Sequence, residues 1–527
     1  MNIHVLALSV VLLSLLGAYT LLWLFLRTPV GELFKDAPGR RKVHQRTVPR
    51  MGGVCIILSF LGGLFLWRAA AASATPGFDA PLFTSVVFAS LTILLIGILD
   101  DTFLIEIQNR AKFLLETLIA IEIVYILGIR LETISFFGAP LALGWIGGPL
   151  TVFWLVGVSN AVNIIDGVDG LAAGIALITL AAVSALALLS DALSLAFVAG
   201  AAASAAAGFL AHNRPPARVF LGDAGSLFLG MVLGLTTVRI VSNPVADEQL
   251  PVQVALLLAG LPILDVSAAM VRRFAAARRK GGSAISALLA MTVADSDHMH
   301  HRLLYYGLTH AQTAMFLGFA AASFCAAALV TALSSILTGV LITANAICIA
   351  GWLLFRLDFL HPLSSFLKSI RPPNDAAAPR HIIGVISADD VFQYALSHYD
   401  QTAFTFLFLE SGEHAAAPHH VDAFILVNTE PARRERDRIQ AHAIAARTDK
   451  PVMLIAESLD DPADRTRPAG RVFHAARPIY IPALVNELYT LTSRRAEPAA
   501  ARVAPRLIAK AHPVFGWIRY GKEFSKR

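Results

Sequence analysis

The chain is a succession of long apolar stretches separated by short polar segments. Crossing the hydrocarbon takes about 20 mostly apolar residues in one helix. Eleven stretches approach that length: Ile3 to Leu26, Gly53 to Trp67, Leu82 to Leu99, Phe113 to Ile129, Leu150 to Ile164, Leu171 to Leu189, Ala192 to Ala211, Leu227 to Val241, Val252 to Val271, Thr313 to Leu333 and Ser335 to Phe355. The pattern predicts a polytopic α-helical membrane protein with about 11 transmembrane helices. No basic segment precedes the first stretch and no small-residue cleavage site follows it, so it reads as a retained helix and not a signal peptide. Past Phe355 the pattern changes. A polar, proline-bearing linker, "RPPNDAAAPR" from Arg371 to Arg380, leads to the apolar runs "HIIGVIS", "AFTFLFLE", "DAFILVN" and "KPVMLIA". These alternate with helical stretches such as Pro431 to Asp449 and Pro482 to Arg494, which predicts a small α/β domain with a parallel sheet. The expected division is a transmembrane domain over 1–360, a linker over 361–380, an α/β domain over 381–495 and a basic tail over 496–527.

Composition supports the membrane reading. Of 527 residues, 56% are apolar and 15% charged, and the mean hydropathy is +0.64. A net charge of +6 and a pI near 9.3 do not require a nucleic-acid partner, because basic residues in membrane proteins mark cytoplasmic loops. Cys55, Cys325 and Cys348 fall in apolar segments without paired spacing and suggest neither a disulfide framework nor a zinc site. Lys and Arg concentrate after the first, third, seventh and ninth stretches, as in Arg40, Arg41 and Lys42 or Arg278, Arg279 and Lys280. The alternate loops hold little beyond Arg68 and Arg130. This asymmetry predicts an N-terminus outside and a C-terminus in the cytoplasm, in the inner (cytoplasmic) membrane.

That orientation gathers the acidic motifs. "LDD" at Asp100 and Asp101, "NIIDGVDG" with Asp166 and Asp169, "GDAGS" with Asp223 and the histidine run "HMHH" all fall on the cytoplasmic side. Carboxylates at helix ends next to lipid are costly unless paired, solvated or metal-bound. Clustered carboxylates attract a hard cation such as Mg2+, with Mn2+ as an alternative, which leaves coordination positions for phosphate oxygens. The glycines of "DGVDGL" and "GDAGS" permit close backbone approach, and each motif opens an apolar helix whose N-terminal N–H groups favour phosphate. Lys112, near the start of the fourth stretch, either neutralises a phosphate or is a positive-inside anchor. His298, His300 and His301 offer donors and acceptors for a second phosphate. A transition-metal site and a solvated cluster are the alternatives for them.

In this order the four motifs, with "KVHQRTVPRMGG" from Lys42 to Gly53, resemble the polyprenyl-phosphate N-acetylhexosamine-1-phosphate transferase superfamily, over roughly Met1 to Phe355. The resemblance implies transfer of a sugar 1-phosphate from a UDP-amino sugar to undecaprenyl phosphate with Mg2+, releasing UMP and initiating cell-surface polysaccharide synthesis. It places Asp100 and Asp101 at the catalytic pair, the first as a base or an orienting group, and Asp223 at a metal-ligand position. Asn163, Asp166 and Asp169 match the nucleotide and metal pocket, with Asp166 and Asp169 counted among the catalytic carboxylates and Asn163 among the substrate-binding residues. His298, His300 and His301, with Arg302 beside them, match the motif that engages the donor. Arg302 after the histidines resembles the GlcNAc-type branch, whereas Ser296 stands where that branch has Arg. A transporter and an inactive scaffold are the competing readings. The C-terminal region resembles a degenerate response-regulator receiver. Asp389 and Asp390 follow its first strand, but Val427 and Asn428 stand where the phosphoacceptor is expected, and no lysine follows the fifth strand in "RPIYIPALVNEL". That implies a domain that binds a protein partner without phosphorylation, or a structural appendage. The tail from Arg502 to Arg527 reads as a disordered end or as a segment lying on anionic membrane lipid.

Overall fold

A computed structural model describes residues 3–28, 35–36, 48–71, 78–101, 108–136, 139–242, 244–245, 248–279, 283–291, 298–305, 308–356, 381–387, 404–409, 423–427, 452–456 and 472–476. Two compact units emerge, Met1–Ser267 with Thr309–Trp352, and Ala268–Leu308 with Leu353–Arg527.

Each predicted apolar stretch is helical over most of its described length. In chain order the helices are α1 (Ile3–Phe25), α2 (Gly52–Ala71), α3 (Ala80–Asp101), α4 (Asn109–Tyr125), α5 (Gly147–Ile165), α6 (Leu171–Leu189), α7 (Leu193–Asn213), α8 (Gly222–Ser242), α9 (Val252–Leu258), α10 (Gly260–Arg279), α11 (Ala284–Ala290), α12 (Met299–Tyr305), α13 (His310–Leu333) and α14 (Ile336–Arg356). Among the described residues, 8 helices are long and apolar enough to cross a membrane, or 9 if the bent pair α9 and α10 is one span. The difference from the expected eleven lies in α4 and α14. Helix α4 has 17 residues and carries Arg110, Lys112, Glu116 and Glu122, while the apolar part of α14 is the shorter Ile336–Gly351.

The predicted span from Val252 to Val271 is not one rod. Its two helices meet at 82° across Ala259. Pro262 lies in the first turn of α10, where its missing N–H costs nothing; in an unbroken helix its ring would strike the Leu258 carbonyl four residues back.

The core of the first unit is α8, which is buried along almost its whole length and packs against α2, α3, α5, α6 and α7. Its sequence, "GDAGSLFLGMVLGL", alternates large apolar residues with glycines. A Cβ on Gly230 would lie 2.6 Å from Ser159 Cα, so α5 and α8 cross at a distance that only glycine permits. The Ser159 hydroxyl donates to the Leu227 carbonyl at 3.1 Å across that crossing. Around this core, α1 and α13 leave large apolar side chains such as Leu8, Leu16 and Phe319 exposed, as a lipid-facing shell requires. Three short antiparallel pairs decorate the helix connections: β1 (Lys35–Asp36) with β2 (Val48–Pro49), β3 (Thr133–Phe136) with β4 (Ala139–Ala142), and β5 (Pro244–Val245) with β6 (Glu248–Gln249).

The second unit contains a parallel sheet of β7 (His381–Ser387), β8 (Phe404–Leu409), β9 (Ala423–Val427), β10 (Val452–Ala456) and β11 (Val472–Ala476). The order β8-β7-β9-β10-β11 is the 2-1-3-4-5 arrangement of flavodoxin-like doubly wound folds. Val385 and Ile425, on the adjacent strands β7 and β9, are completely buried. Strands this apolar are what a sheet covered on both faces requires. The linker at 371–380, the helical stretches at 431–449 and 482–494, the residues Asp389, Asp390 and Asn428, and the tail at 502–527 lie outside the described residues.

Candidate active site

Helix α3 ends in two carboxylates. Asp100 and Asp101 therefore sit at the negative end of its dipole, an unfavourable place for an acid unless a cation compensates. The cation is Lys112, from the first turn of α4. Its Nζ donates to Asp100 Oδ2 at 2.6 Å and to Asp223 Oδ2 at 2.5 Å. Asp223 is in the first turn of α8, where the dipole favours an anion. The side chains of Lys112, Asp100 and Asp223 are 15%, 13% and 31% exposed, so solvent only partly screens the cluster. The Asp101 side chain lies outside the described residues.

A fourth ionisable group belongs to this cluster. Glu116 follows Lys112 by one helical turn, is 4% exposed, and accepts a hydrogen bond from Asn160 Nδ2 at 2.6 Å. Asn160 also donates to the Val156 carbonyl, which fixes its amide. Asp100, Lys112, Glu116 and Asp223 line one cleft, walled by Ile93, Ile96, Gly97, Ile119, Ala224 and Leu227. Among the described residues this cleft holds three carboxylates to one ammonium. Glu116 and Asn160 are absent from the sequence-based site. The Lys112–Glu116 spacing could have flagged the acid, but Asn160 reads as one more polar residue in an apolar run.

The position of Asp223 is set by close backbone contacts at the start of α8. Phe220 N donates to Pro49 O at 2.8 Å, and Gly52 N and Gly53 N donate to Phe220 O and Leu221 O at 3.0 and 2.8 Å. A Cβ on Gly53 would lie 2.2 Å from Gly225 N, and one on Gly97 would lie 2.2 Å from Ala224 Cβ. The end of "KVHQRTVPRMGG" thus braces "GDAGS" by backbone pairing and by the absence of side chains.

The "NIIDGVDG" segment forms the turn from α5 to α6. Asp166 is the C-cap of α5, and Gly170 adopts φ 76° immediately before α6. Asn163 Oδ1 accepts from Ser226 Oγ at 2.7 Å, which ties this segment to "GDAGS". Asp169 Oδ2 accepts from Ala217 N at 3.0 Å and lies 3.8 Å from His310 Nδ1, at the start of α13. Asn213 Oδ1 accepts from Gly170 N at 2.8 Å, and its Nδ2 donates to Val219 O at 2.8 Å. Asp169 therefore anchors the turn to the α7–α8 connection. Neither Asp166 nor Asp169 lines the cleft that contains Lys112. His310 and Asn213 are further residues of this turn that sequence reasoning misses, because their partners are distant in the chain.

The histidines belong to the second unit. His298 precedes α12, and His300, His301 and Arg302 lie within it. His298 and His300 are 5% and 1% exposed, with rings 6.2 Å apart and nearly parallel; His300 and His301 are 4.2 Å apart. In the same unit Arg273 Nη1 donates to the Met291 carbonyl at 2.9 Å, joining α10 to the end of α11. Among the described residues no group of three or more His, Cys, Asp or Glu is arranged to hold a metal. What the first unit does offer a cation is a pair of carboxylate oxygens converging on one point. This suits a hard ion that takes one or two protein carboxylates and completes its shell with water and phosphate.

Comparison with known proteins adds to this geometry. The family described as "Glycosyl transferase family 4" matches residues 83–241, which include Asp100, Lys112, Glu116, Asp166, Asp169 and Asp223. The chain is 32% identical over 277 residues to a probable undecaprenyl-phosphate N-acetylglucosaminyl 1-phosphate transferase of Bacillus subtilis, covering 52% of this chain and 71% of the relative. It is 30% identical over 306 residues to the decaprenyl-phosphate N-acetylglucosaminephosphotransferase of Mycobacterium tuberculosis, covering 53% and 71%. A phospho-N-acetylmuramoyl-pentapeptide-transferase of Enterococcus hirae is 35% identical over 202 residues, 36% of this chain and 61% of that protein.

Proposed function

The chain belongs to the polyprenyl-phosphate N-acetylhexosamine-1-phosphate transferase superfamily, and from that premise we propose that it transfers HexNAc 1-phosphate from a UDP-HexNAc to undecaprenyl phosphate, leaving UMP. It is a membrane phosphoglycosyl transferase; the donor, the acceptor and the metal are the proposed part. The supporting observation is the convergence of Asp100 and Asp223 on Lys112 at the glycine-braced start of α8.

An oxygen of the lipid phosphate attacks the sugar-linked phosphorus, and the bond from that phosphorus to the bridging oxygen breaks. The bridging oxygen leaves with UMP. Asp223 and Asp100 would supply the carboxylate oxygens to hold Mg2+, which when bound would offset the charge of the two phosphate groups brought together and of the leaving oxygen. Lys112 brings a cation to the same cleft, and the first turn of α8 adds backbone N–H groups favourable to phosphate. A phosphate monoester largely ionised at neutral pH needs little deprotonation, so Asp100 orients charge in this mechanism and is not required as a base. The positive-inside asymmetry puts this end of the bundle and the C-terminal α/β domain in the cytoplasm. GlcNAc or a related amino sugar is the proposed donor sugar, and the product would initiate a cell-surface polysaccharide.

Purified protein in detergent, given undecaprenyl phosphate, Mg2+ and a panel of UDP-HexNAc donors, should release UMP and form lipid-linked sugar with one of them, and EDTA should stop it. Folded protein that forms no product with any donor would overturn the proposal.

A further inference from the structure

Resting on the reading of Asp100 and Asp223 as cation ligands, we infer that Lys112 is the resident counter-cation of that site: its ammonium occupies the metal position between the two carboxylates and must be displaced when the metal binds. Lys112 Nζ lies 2.6 Å from Asp100 Oδ2 and 2.5 Å from Asp223 Oδ2. A Mg2+ ion bridging the same oxygens takes up nearly the same point, since its bonds to oxygen are about 2.0–2.1 Å. Two cations cannot share that point.

The surroundings explain why a cation is held there. Asp100 sits at the negative end of α3, and Glu116 adds a third carboxylate to the cleft. Without a positive charge between them, these acids would face one another in a partly buried cleft. Lysine suits the task because its ammonium is a point charge on a flexible stem that can swing away.

Displacement has a consequence for substrate binding. The released ammonium needs a new anionic partner, and an incoming diphosphate supplies one. Metal and nucleotide sugar then assist each other's binding, since each removes an obstacle to the other, and the coupling is reciprocal. In their absence Lys112 keeps the carboxylates paired and weakens metal binding by the fraction of time it stands aside.

The test is Mn2+ binding, followed by electron paramagnetic resonance, to the purified full-length protein in detergent without nucleotide or lipid. Lys112→Met, which keeps most of the stem and removes the charge, should bind Mn2+ roughly tenfold more tightly than the wild type if Lys112 stands aside about a tenth of the time. Equal or weaker binding in a folded variant overturns the displacement. Asp223→Asn separates this from the underlying reading: if it leaves Mn2+ binding unchanged, the metal assignment itself has failed. A second readout uses only the wild type. Mn2+ should raise the rate at which an amine-reactive reagent labels Lys112, measured by mass spectrometry, several-fold. Unchanged or slower labelling overturns the displacement even if Lys112→Met does not fold.

Discussion

Helices α3 and α8 carry charged residues at both ends, and the two ends are built differently. At one end Asp79 precedes α3 and accepts from Leu82 N at 3.0 Å through Oδ1, while its Oδ2 accepts from Arg239 Nε in the last turn of α8. The Asp79 amide donates to Ser194 Oγ at 3.0 Å. One acid meets one base, each on the favourable end of a helix dipole. Trp67, Phe78, Phe83 and Phe197 pack beside this pair as an aromatic cluster. At the other end Asp100 stands against the dipole of its own helix, and it shares Lys112 with Asp223 while Glu116 lines the same cleft. The first arrangement is complete in itself and serves as a lock. Among the described residues the second gathers three acids around one ammonium, a concentration of ionisable groups that marks a candidate functional site.

The largest effects are expected at the acid-rich end. Asp100→Asn should lower transfer by about 10²–10³-fold, the scale of losing a preorganised electrostatic contact, while thermal stability stays near that of the wild type. Transfer rates and melting curves of the same preparation check both halves. Gly53→Ala should come next, because its Cβ would fall 2.2 Å from Gly225 N and no side chain can yield there. Overpacking of this kind costs about 1–3 kcal/mol, and displacement of the α8 start should lower transfer as well. At the other end Asp79→Asn retains a helix cap and loses only the charge pairing to Arg239. It should reduce stability by about 1–2 kcal/mol and leave the metal dependence of transfer unchanged. The smallest effect is expected from Glu116→Gln, which keeps an acceptor for Asn160 and removes one ionisable carboxyl group. The Mg2+ concentration for half-maximal rate should rise by a factor of roughly two to five. A Mg2+ titration that superimposes on the wild type would remove Glu116 from the cation site.

Much of the fold is legible because apolar windows report directly on helices in lipid. The break at Ala259 is the exception. A hydropathy window averages across it, although "AGLP" contains the proline that forbids a continuous helix. In the C-terminal unit the runs "HIIGVIS", "AFTFLFLE", "DAFILVN" and "KPVMLIA" mark β7 to β10, since strands buried on both faces read as continuous apolar segments. The site is legible in part. Asp100, Lys112 and Asp223 stand out as charges at the ends of apolar stretches. What each touches is not local: Lys112 could pair with Glu116 one turn away, yet it pairs with Asp223, and Glu116 turns to Asn160 on α5. Likewise Asp169 carries a motif that suggests chemistry, and its recorded partners, Ala217 N and His310, tie down a turn. A sequence motif identifies which residues matter at such an end, and only the packing of α4, α5 and α8 assigns their partners.

The most direct test of the acid-rich end as the transfer site is Mg2+-dependent UMP release by Asp223→Asn, measured beside Asp79→Asn under the same conditions. Asp223→Asn should lose about two orders of magnitude or more, and folded Asp79→Asn should keep a near-wild-type rate. Turnover by Asp223→Asn within about a factor of two of the wild type, less than 1 kcal/mol in the barrier, would contradict that assignment.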